Sequence, residues 1–303
     1  MRQRFLLVFN PGAGRSDRAF LESVLARLAA AGATIARAVS VTAAGARAEV
    51  RAAVTSGPFD AVIAAGGDGT IRQVAVAAID SGVPVGIIPV GTANVLAHEI
   101  GLVRNAAGVA QVLLDGTATT IAVATANGEP FLLMAGAGFD GRVIAALDQG
   151  WKARIGKAAF VAPVLATLAR PLDVLHATID GRPHTATWIV AANARHYGGA
   201  FVIAPDAGLT RPGLQAILFH ARSRRRLFRQ LAALGLGHLE RRQALAACDI
   251  EIIACSDVTI TAAAPVPTQI DGDPFGATPL VVRQGPATVA LIMPQAPAAA
   301  VAL

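Results

Sequence analysis

Residues Ala64-Ala65-Gly66-Gly67-Asp68-Gly69-Thr70, the stretch AAGGDGT, follow directly on the apolar run FDAVI. A short apolar run of this kind reads as a buried strand. Glycine permits positive φ and lets another group approach the backbone. Three glycines flanking an acid and a hydroxyl therefore point to something packed against main-chain amides. Ligands of open parallel sheets collect at such strand ends.

Working outward, the first part of the chain alternates strands and helices. RFLLVFN, TIARAVSV, FDAVIAA and PVGIIPV read as strands. Helices are expected from Asp17 to Ala31, with Ser16 as N-cap and Phe20, Val24, Leu25 and Leu28 on one face, and again from Gly45 to Thr55 and from Thr70 to Ile79. This βαβ series predicts a parallel sheet with helices on both faces. After about Asp115 the pattern changes. Asn127-Gly128 and Asp180-Gly181 each sit between apolar runs, the signal of a type I′ hairpin, and LQAILFH, IEIIA, DVTITA and TPLVVRQ are further short strands. A second, mainly antiparallel β domain follows, with a cleft between the two domains.

The 303 residues are long enough for two domains, and 54% hydrophobic with 15% charged residues is a globular composition. The longest apolar stretches, such as GVPVGIIPVGTANVLA, are broken by Gly, Pro and Asn, short of the roughly eighteen residues a spanning helix needs. The five-residue apolar run near the N-terminus is too short for a signal peptide. These features predict a cytoplasmic protein. Cys248 and Cys255 have no metal-ligand spacing and read as reduced thiols. The net charge of +6 is carried almost wholly by arginine, since Lys152 and Lys157 are the only lysines, and it favours phosphate or an anionic surface as partner.

Three glycine turns follow strands of the first domain: NPGAGR (Asn10 to Arg15), GGDGT (Gly66 to Thr70) and PVGTAN (Pro89 to Asn94). A helix after each would converge N-termini and free N–H groups where strand ends meet, which suits a polyphosphate. The P-loop pattern is absent, and PGAGRSD has Asp17 where a dinucleotide fingerprint needs its third glycine. No HExxH or GxSxG motif occurs, which removes zinc-protease and serine-hydrolase readings. By itself QIDGDP (Gln269 to Pro274) reads as a hairpin turn, and Asp140 of GFDG as a cap for the helix RVIAAL.

Taken together, NPGAG, GGDGT and PVGTAN resemble the catalytic domain shared by diacylglycerol, sphingosine and ceramide kinases and the bacterial soluble lipid kinases. GAGFDGRV (Gly136 to Val143), the N..YGG....AP.A skeleton from Asn193 to Ala207, and QIDGDP follow in family order, so the resemblance covers nearly the whole chain. It implies an α/β protein of two domains, NAD kinase- and diacylglycerol kinase-like. Residues 1–120, completed by a C-terminal strand at 287–294, would form a parallel-sheet nucleotide-binding domain, and 121–286 a mainly antiparallel acceptor domain. It further implies ATP and Mg²⁺ in the cleft. Asn10, Gly12, Gly14 and Asn94 would contact the nucleotide, with Thr70 and Thr92 giving hydroxyls to its phosphates. Gly66, Gly67, Gly69 and Gly91 would admit the phosphates to the backbone. Asp271 is the candidate general base, with Asp68 as the rival for that role, and Asp68 and Asp273 are the candidates to position the metal. The acceptor would be a lipid hydroxyl, diacylglycerol first and a sphingoid base or ceramide next; NAD, or no turnover at all, are the rivals. The chain departs from the family at Gln73, often Glu, at Val95, often Asp, and at Arg211-Pro212, where an Asp-Gly pair helps hold an accessory metal.

A lipid kinase must meet a membrane, and the protein is expected to associate with it peripherally. Residues 220–242 hold seven arginines against Glu240 alone, and with Leu227, Phe228, Leu231 and Leu234 read as a basic amphipathic helix for anionic phospholipid. WKARIGKAAFVAPVLATL is a second candidate. No nucleic acid is expected as a partner, and an oligomer is compatible with the sequence.

Overall fold

The computed structural model describes residues 1–9, 17–39, 43–237, 239 and 249–295. It divides into two units, Met1–Ile121 with Thr288–Leu303, and Ala122–Ala287. Asn10, Gly12, Gly14, Ser16 and Cys248 lie outside the described residues, as do Glu240, Arg241 and Arg242 of the basic segment.

The first unit runs β1 (Arg4–Phe9), α1 (Arg18–Ala30), β2 (Thr34–Val39), α2 (Ala43–Ser56), β3 (Ala61–Gly66), α3 (Asp68–Ala77), β4 (Val85–Pro89), α4 (Val95–Glu99) and α5 (Ala106–Asp115). Its strands lie in the order β2-β1-β3-β4, all parallel. Every residue of β3 and β4 is buried, which explains their unbroken apolar sequence: helices cover both faces of a parallel sheet. α1 turns Leu21, Val24, Leu25 and Leu28 inward at helical spacing. Phe20, expected on that face, is instead half-buried under the Arg104 guanidinium, 4.4 Å from its ring centre. α5, which the sequence reading did not foresee, is capped by Asn105, whose side chain accepts from the Gly108 N–H at 2.6 Å.

The second unit follows β5 (Thr117–Ala126), a strand that begins in the first. It continues with β6 (Glu129–Phe131), β7 (Met134–Ala137), α6 (Phe139–Ala145), α7 (Gln149–Ile155), α8 (Val161–Leu168), β8 (Leu175–Ile179), β9 (Arg182–Ala186), β10 (Trp188–Ala192), β11 (His196–Tyr197) and β12 (Phe201–Val202). β13 (Leu214–Phe219), α9 (Arg224–Gly235), β14 (Ile250–Cys255), β15 (Asp257–Ala262), β16 (Pro267–Ile270), β17 (Asp273–Ala277) and β18 (Leu280–Met293) complete it. One antiparallel sheet has the order β14-β13-β10-β7-β16-β17. A second joins β18, β15, β8 and β9. Alternate residues such as Leu175, Ala177 and Ile179 from one sheet and Ile189, Ala191 and Leu218 from the other share a single apolar core. The end of β18 pairs in parallel with β4 through Leu291 and Val85, so the C-terminal strand belongs to the first unit's sheet.

The type I′ signals hold. Asn127-Gly128 turns at φ 46° and 82° and Asp180-Gly181 at 45° and 80°. Asp271-Gly272 turns at 48° and 80°, so QIDGDP is indeed a hairpin, between β16 and β17. No helix among the described residues is long and apolar enough to cross a membrane.

Candidate active site

In the first unit, the turns after β3 and β4 are bound to each other. The Val90 N–H donates to the Gly66 carbonyl at 3.2 Å. A Cβ placed on Gly91 would stand 2.3 Å from the Cα of Gly67, so the two backbones can approach this closely only with glycine at 91. Gly66 is required by its own chain, since a Cβ there would meet the Thr70 side chain at 2.4 Å. Asn94, at φ 50°, closes the second turn by accepting from the Gly91 N–H and donating to the Gly91 carbonyl, each at 2.9 Å. Asp68 completes the link: its Oδ1 accepts from the Leu96 N–H of α4 at 3.0 Å. The N–H groups of Gly69 and Thr70 open α3 and have no intrahelical acceptor. Gly66, Gly67, Asp68, Thr70, Gly91 and Asn94 thus form one constellation, and Thr92 lies half-buried within its second turn.

Gln73, on α3, accepts from the Arg47 Nε of α2. The neutral amide therefore keeps a hydrogen bond that a carboxylate would also make.

In the second unit, Asp271 is buried, 7% exposed, and its carboxylate is gripped by backbone. Oδ1 accepts from the N–H groups of Leu133 at 2.8 Å and Met134 at 3.0 Å, Oδ2 from that of Leu132 at 2.9 Å, and the Asp271 N–H donates to the Met134 carbonyl. Asn193 holds the same segment from its other side. It donates from Nδ2 to the carbonyls of Leu132 at 2.7 Å and Ala122 at 3.0 Å. Asp273 opens β17 two residues on and is half-buried.

Asp140 corrects the sequence reading. It does not cap a helix; it lies inside one, 2% exposed, with Oδ1 accepting from the Gly141 N–H and Oδ2 from Gln269 Nε2 at 2.9 Å. Gln269 Oε1 in turn accepts from the Gly272 N–H at 2.9 Å, so a buried relay runs from Asp140 to the turn that carries Asp271. Burial pushes the Asp140 carboxyl up to about 6, against the pull of Gln269, the Gly141 amide and the Trp188 indole, whose N–H makes no regular hydrogen bond. The glycines of GAGFDG serve this packing: a Cβ on Gly136 would meet Asp140 Oδ2 at 2.3 Å, and one on Gly141 the Pro267 carbonyl at 1.9 Å.

Arg211, where the family pattern has an accessory metal ligand, turns its guanidinium toward the Asp206 carbonyl. Among the described residues no three His, Cys, Asp or Glu side chains come together as a ready-made metal cage. Mg²⁺ bound with phosphates needs only one or two carboxylates, and the half-buried Asp68 is an oxygen donor of that kind.

Comparison with known proteins bears on the whole chain. Residues 4–126 match the diacylglycerol kinase catalytic domain, and residues 134–293 the YegS C-terminal NAD kinase beta sandwich-like domain. A diacylglycerol kinase of Bacillus subtilis is 30% identical over 216 residues, 68% of this chain and 70% of its own. An uncharacterized Synechocystis protein is 35% identical over 136 residues, and there the match spans only 31% of that protein's length. The crystal structure of a putative diacylglycerol kinase from Bacillus anthracis superposes with a TM-score of 0.78, covering 96% of this chain and 95% of that one, at 22% identity. It shows the shared fold.

Proposed function

Because the chain belongs to the diacylglycerol kinase catalytic-domain family, we propose that it is a lipid kinase that transfers the γ-phosphoryl group of ATP to a lipid hydroxyl, with diacylglycerol as the acceptor and phosphatidic acid as the product. The observation that carries this reading is the Asp68–Leu96 hydrogen bond between two glycine turns. It fixes a set of backbone N–H groups, including those of Gly69 and Thr70, in one place. Amides at a helix N-terminus suit phosphate oxygens, and the Thr70 and Thr92 hydroxyls add donors.

A carboxylate beside a polyphosphate site would repel its ligand unless a cation stood between them, which is the reason to assign Mg²⁺ to Asp68, with Asp273 as the second candidate. Mg²⁺ supplies neutralisation of the charge that spreads over the transferring group. Asp271 is assigned the acceptor. Its three amide bonds hold the carboxylate in one orientation, as a group that must align a hydroxyl requires. The acceptor oxygen bonds to the γ-phosphorus as the bond to the bridging oxygen breaks, ADP leaves, and the hydroxyl proton passes to Asp271. The enzyme would work at a membrane surface from the cytoplasmic side.

The test is transfer from γ-labelled ATP, with Mg²⁺, over diacylglycerol, monoacylglycerol, sphingosine, ceramide and NAD. Labelled phosphatidic acid supports the reading. Labelled sphingosine or ceramide would move the acceptor, labelled NAD would move the reaction, and ATP binding without any product would make the protein a regulator.

A further inference from the structure

The arginine-rich segment differs from its expected form. α9 buries Leu227, Gln230, Ala233 and Leu234, while Phe228, expected on the apolar face, stands 62% exposed. Arg226 is drawn aside into an ion pair with Asp249, and Gln230 Nε2 donates to the Asp249 carbonyl. Arg224, Arg225 and Arg229 line the opposite side with Phe228. α9 packs on α8, whose Val161 and Leu165 are 58% and 60% exposed and whose Leu168 closes the groove between the helices. Val161, Leu165 and Leu168 follow at i, i+4 and i+7, one face of the helix. The groove is open, about 440 Å³, with apolar walls and a basic rim.

We infer that this α8–α9 face docks onto an anionic phospholipid surface, with Arg224, Arg225 and Arg229 on headgroup phosphates and Phe228, Leu165 and Val161 entering the boundary between headgroups and acyl chains. Charge decides the occupant. Neither helix carries an acidic residue, and among the described residues the three arginines have no carboxylate partner. A second copy meeting this face isologously would set arginine against arginine. Guanidinium groups around exposed aliphatic and aromatic side chains match the layered chemistry of an anionic bilayer, polar and negative outside, apolar within. Contiguous exposed apolar residues with a polar rim are otherwise uncommon on a soluble surface. The inference goes beyond the kinase reading and stands or falls without it, because docking requires no nucleotide.

The experiment is co-sedimentation of the full chain, without ATP, with vesicles of phosphatidylcholine alone or of phosphatidylcholine with phosphatidylglycerol. Binding is expected only to the anionic vesicles and should weaken with salt. Each arginine contributes roughly fivefold to such partitioning, so Arg225→Ala with Arg229→Ala should lower it by about thirtyfold. Phe228→Ser should lower it as well, most visibly at high salt, where the charge attraction is screened and apolar insertion carries the binding. All variants should keep the wild-type thermal melt, since these side chains are exposed. Equal binding to neutral vesicles, unchanged binding by the variants, or dimers in ultracentrifugation that persist when the arginines are removed would overturn the inference.

Discussion

Asp68 Oδ1 accepts from the Leu96 N–H at 3.0 Å across 28 residues of sequence, so the acid of the first glycine turn orients the helix that follows the second. The hydrogen bond and the negative charge are separable. Asp68→Asn keeps an oxygen acceptor and removes the charge; Asp68→Ala removes both. Asp68→Asn should melt close to wild type yet lose Mg²⁺-dependent transfer by orders of magnitude, whereas Asp68→Ala should also lose about 1 kcal/mol of stability. Equal destabilisation by both variants would show that the link to Leu96 is not a neutral acceptor's task.

The Gly67–Gly91 contact ranks two otherwise similar substitutions. An alanine at 91 would put its Cβ 2.3 Å from a Cα, and backbone must move; one at 67 would meet the same neighbour at 3.4 Å. Gly91→Ala should cost about 2 kcal/mol or more in urea unfolding and abolish ATP binding, with Gly67→Ala clearly milder. The reverse order would mean the turns do not touch as described.

What could be read from the sequence followed chain-local grammar. The βαβ series and three Asx-Gly hairpins are each set by neighbours within a few residues, and each appears where expected; the C-terminal strand, suggested only by the family resemblance, is one with TPLVVRQ in β18. The Asp271 clamp left no such trace. Its donors are the backbone amides of Leu132, Leu133 and Met134, nearly half the chain away, and a backbone donor has no side-chain identity to notice. Asp140 did leave a signal that was read too locally: Gly136 marks a crowded carboxylate and Gly141 a helix pressed against the Pro267 carbonyl, not a cap. Phe228 was legible as part of an amphipathic helix but not by side: it stands among the arginines rather than with the buried Leu227 and Leu234.

Asp271→Asn will not identify a base by lost activity alone. The amide cannot face three N–H donors with two acceptor atoms, so at least one backbone N–H must oppose an NH₂ group. The expected cost is about 1–3 kcal/mol, read as a lower urea midpoint at unchanged slope. If Asp271 also takes the acceptor proton, transfer measured well below the melting temperature should fall by far more than the folded fraction does. A loss of activity matched by the loss of folded protein would leave Asp271 a structural clamp and move the base to Asp68.

The buried Asp140 should give stability and activity opposite responses to acid. Its folded value, pushed up to about 6 chiefly by burial, lies above the 3.8 of an unperturbed aspartate, so the folded state holds a proton that the unfolded chain has released. Its contribution to stability is therefore full below about pH 4 and is lost as pH rises through about 6. Urea unfolding at pH 5 should be more favourable to the fold than at pH 7 by on the order of 1 kcal/mol from this group, a component that Asp140→Asn should lack. With the proton on Oδ2, Asp140 becomes a donor toward Gln269, whose amide would then rotate and present its NH₂ to the Gly272 N–H. The hairpin carrying Asp271 should loosen, seen as a falling hydrogen-exchange protection factor at Gly272 below about pH 6, with transfer falling alongside it. Protection at Gly272 that holds steady while transfer declines would disconnect the relay from the active site.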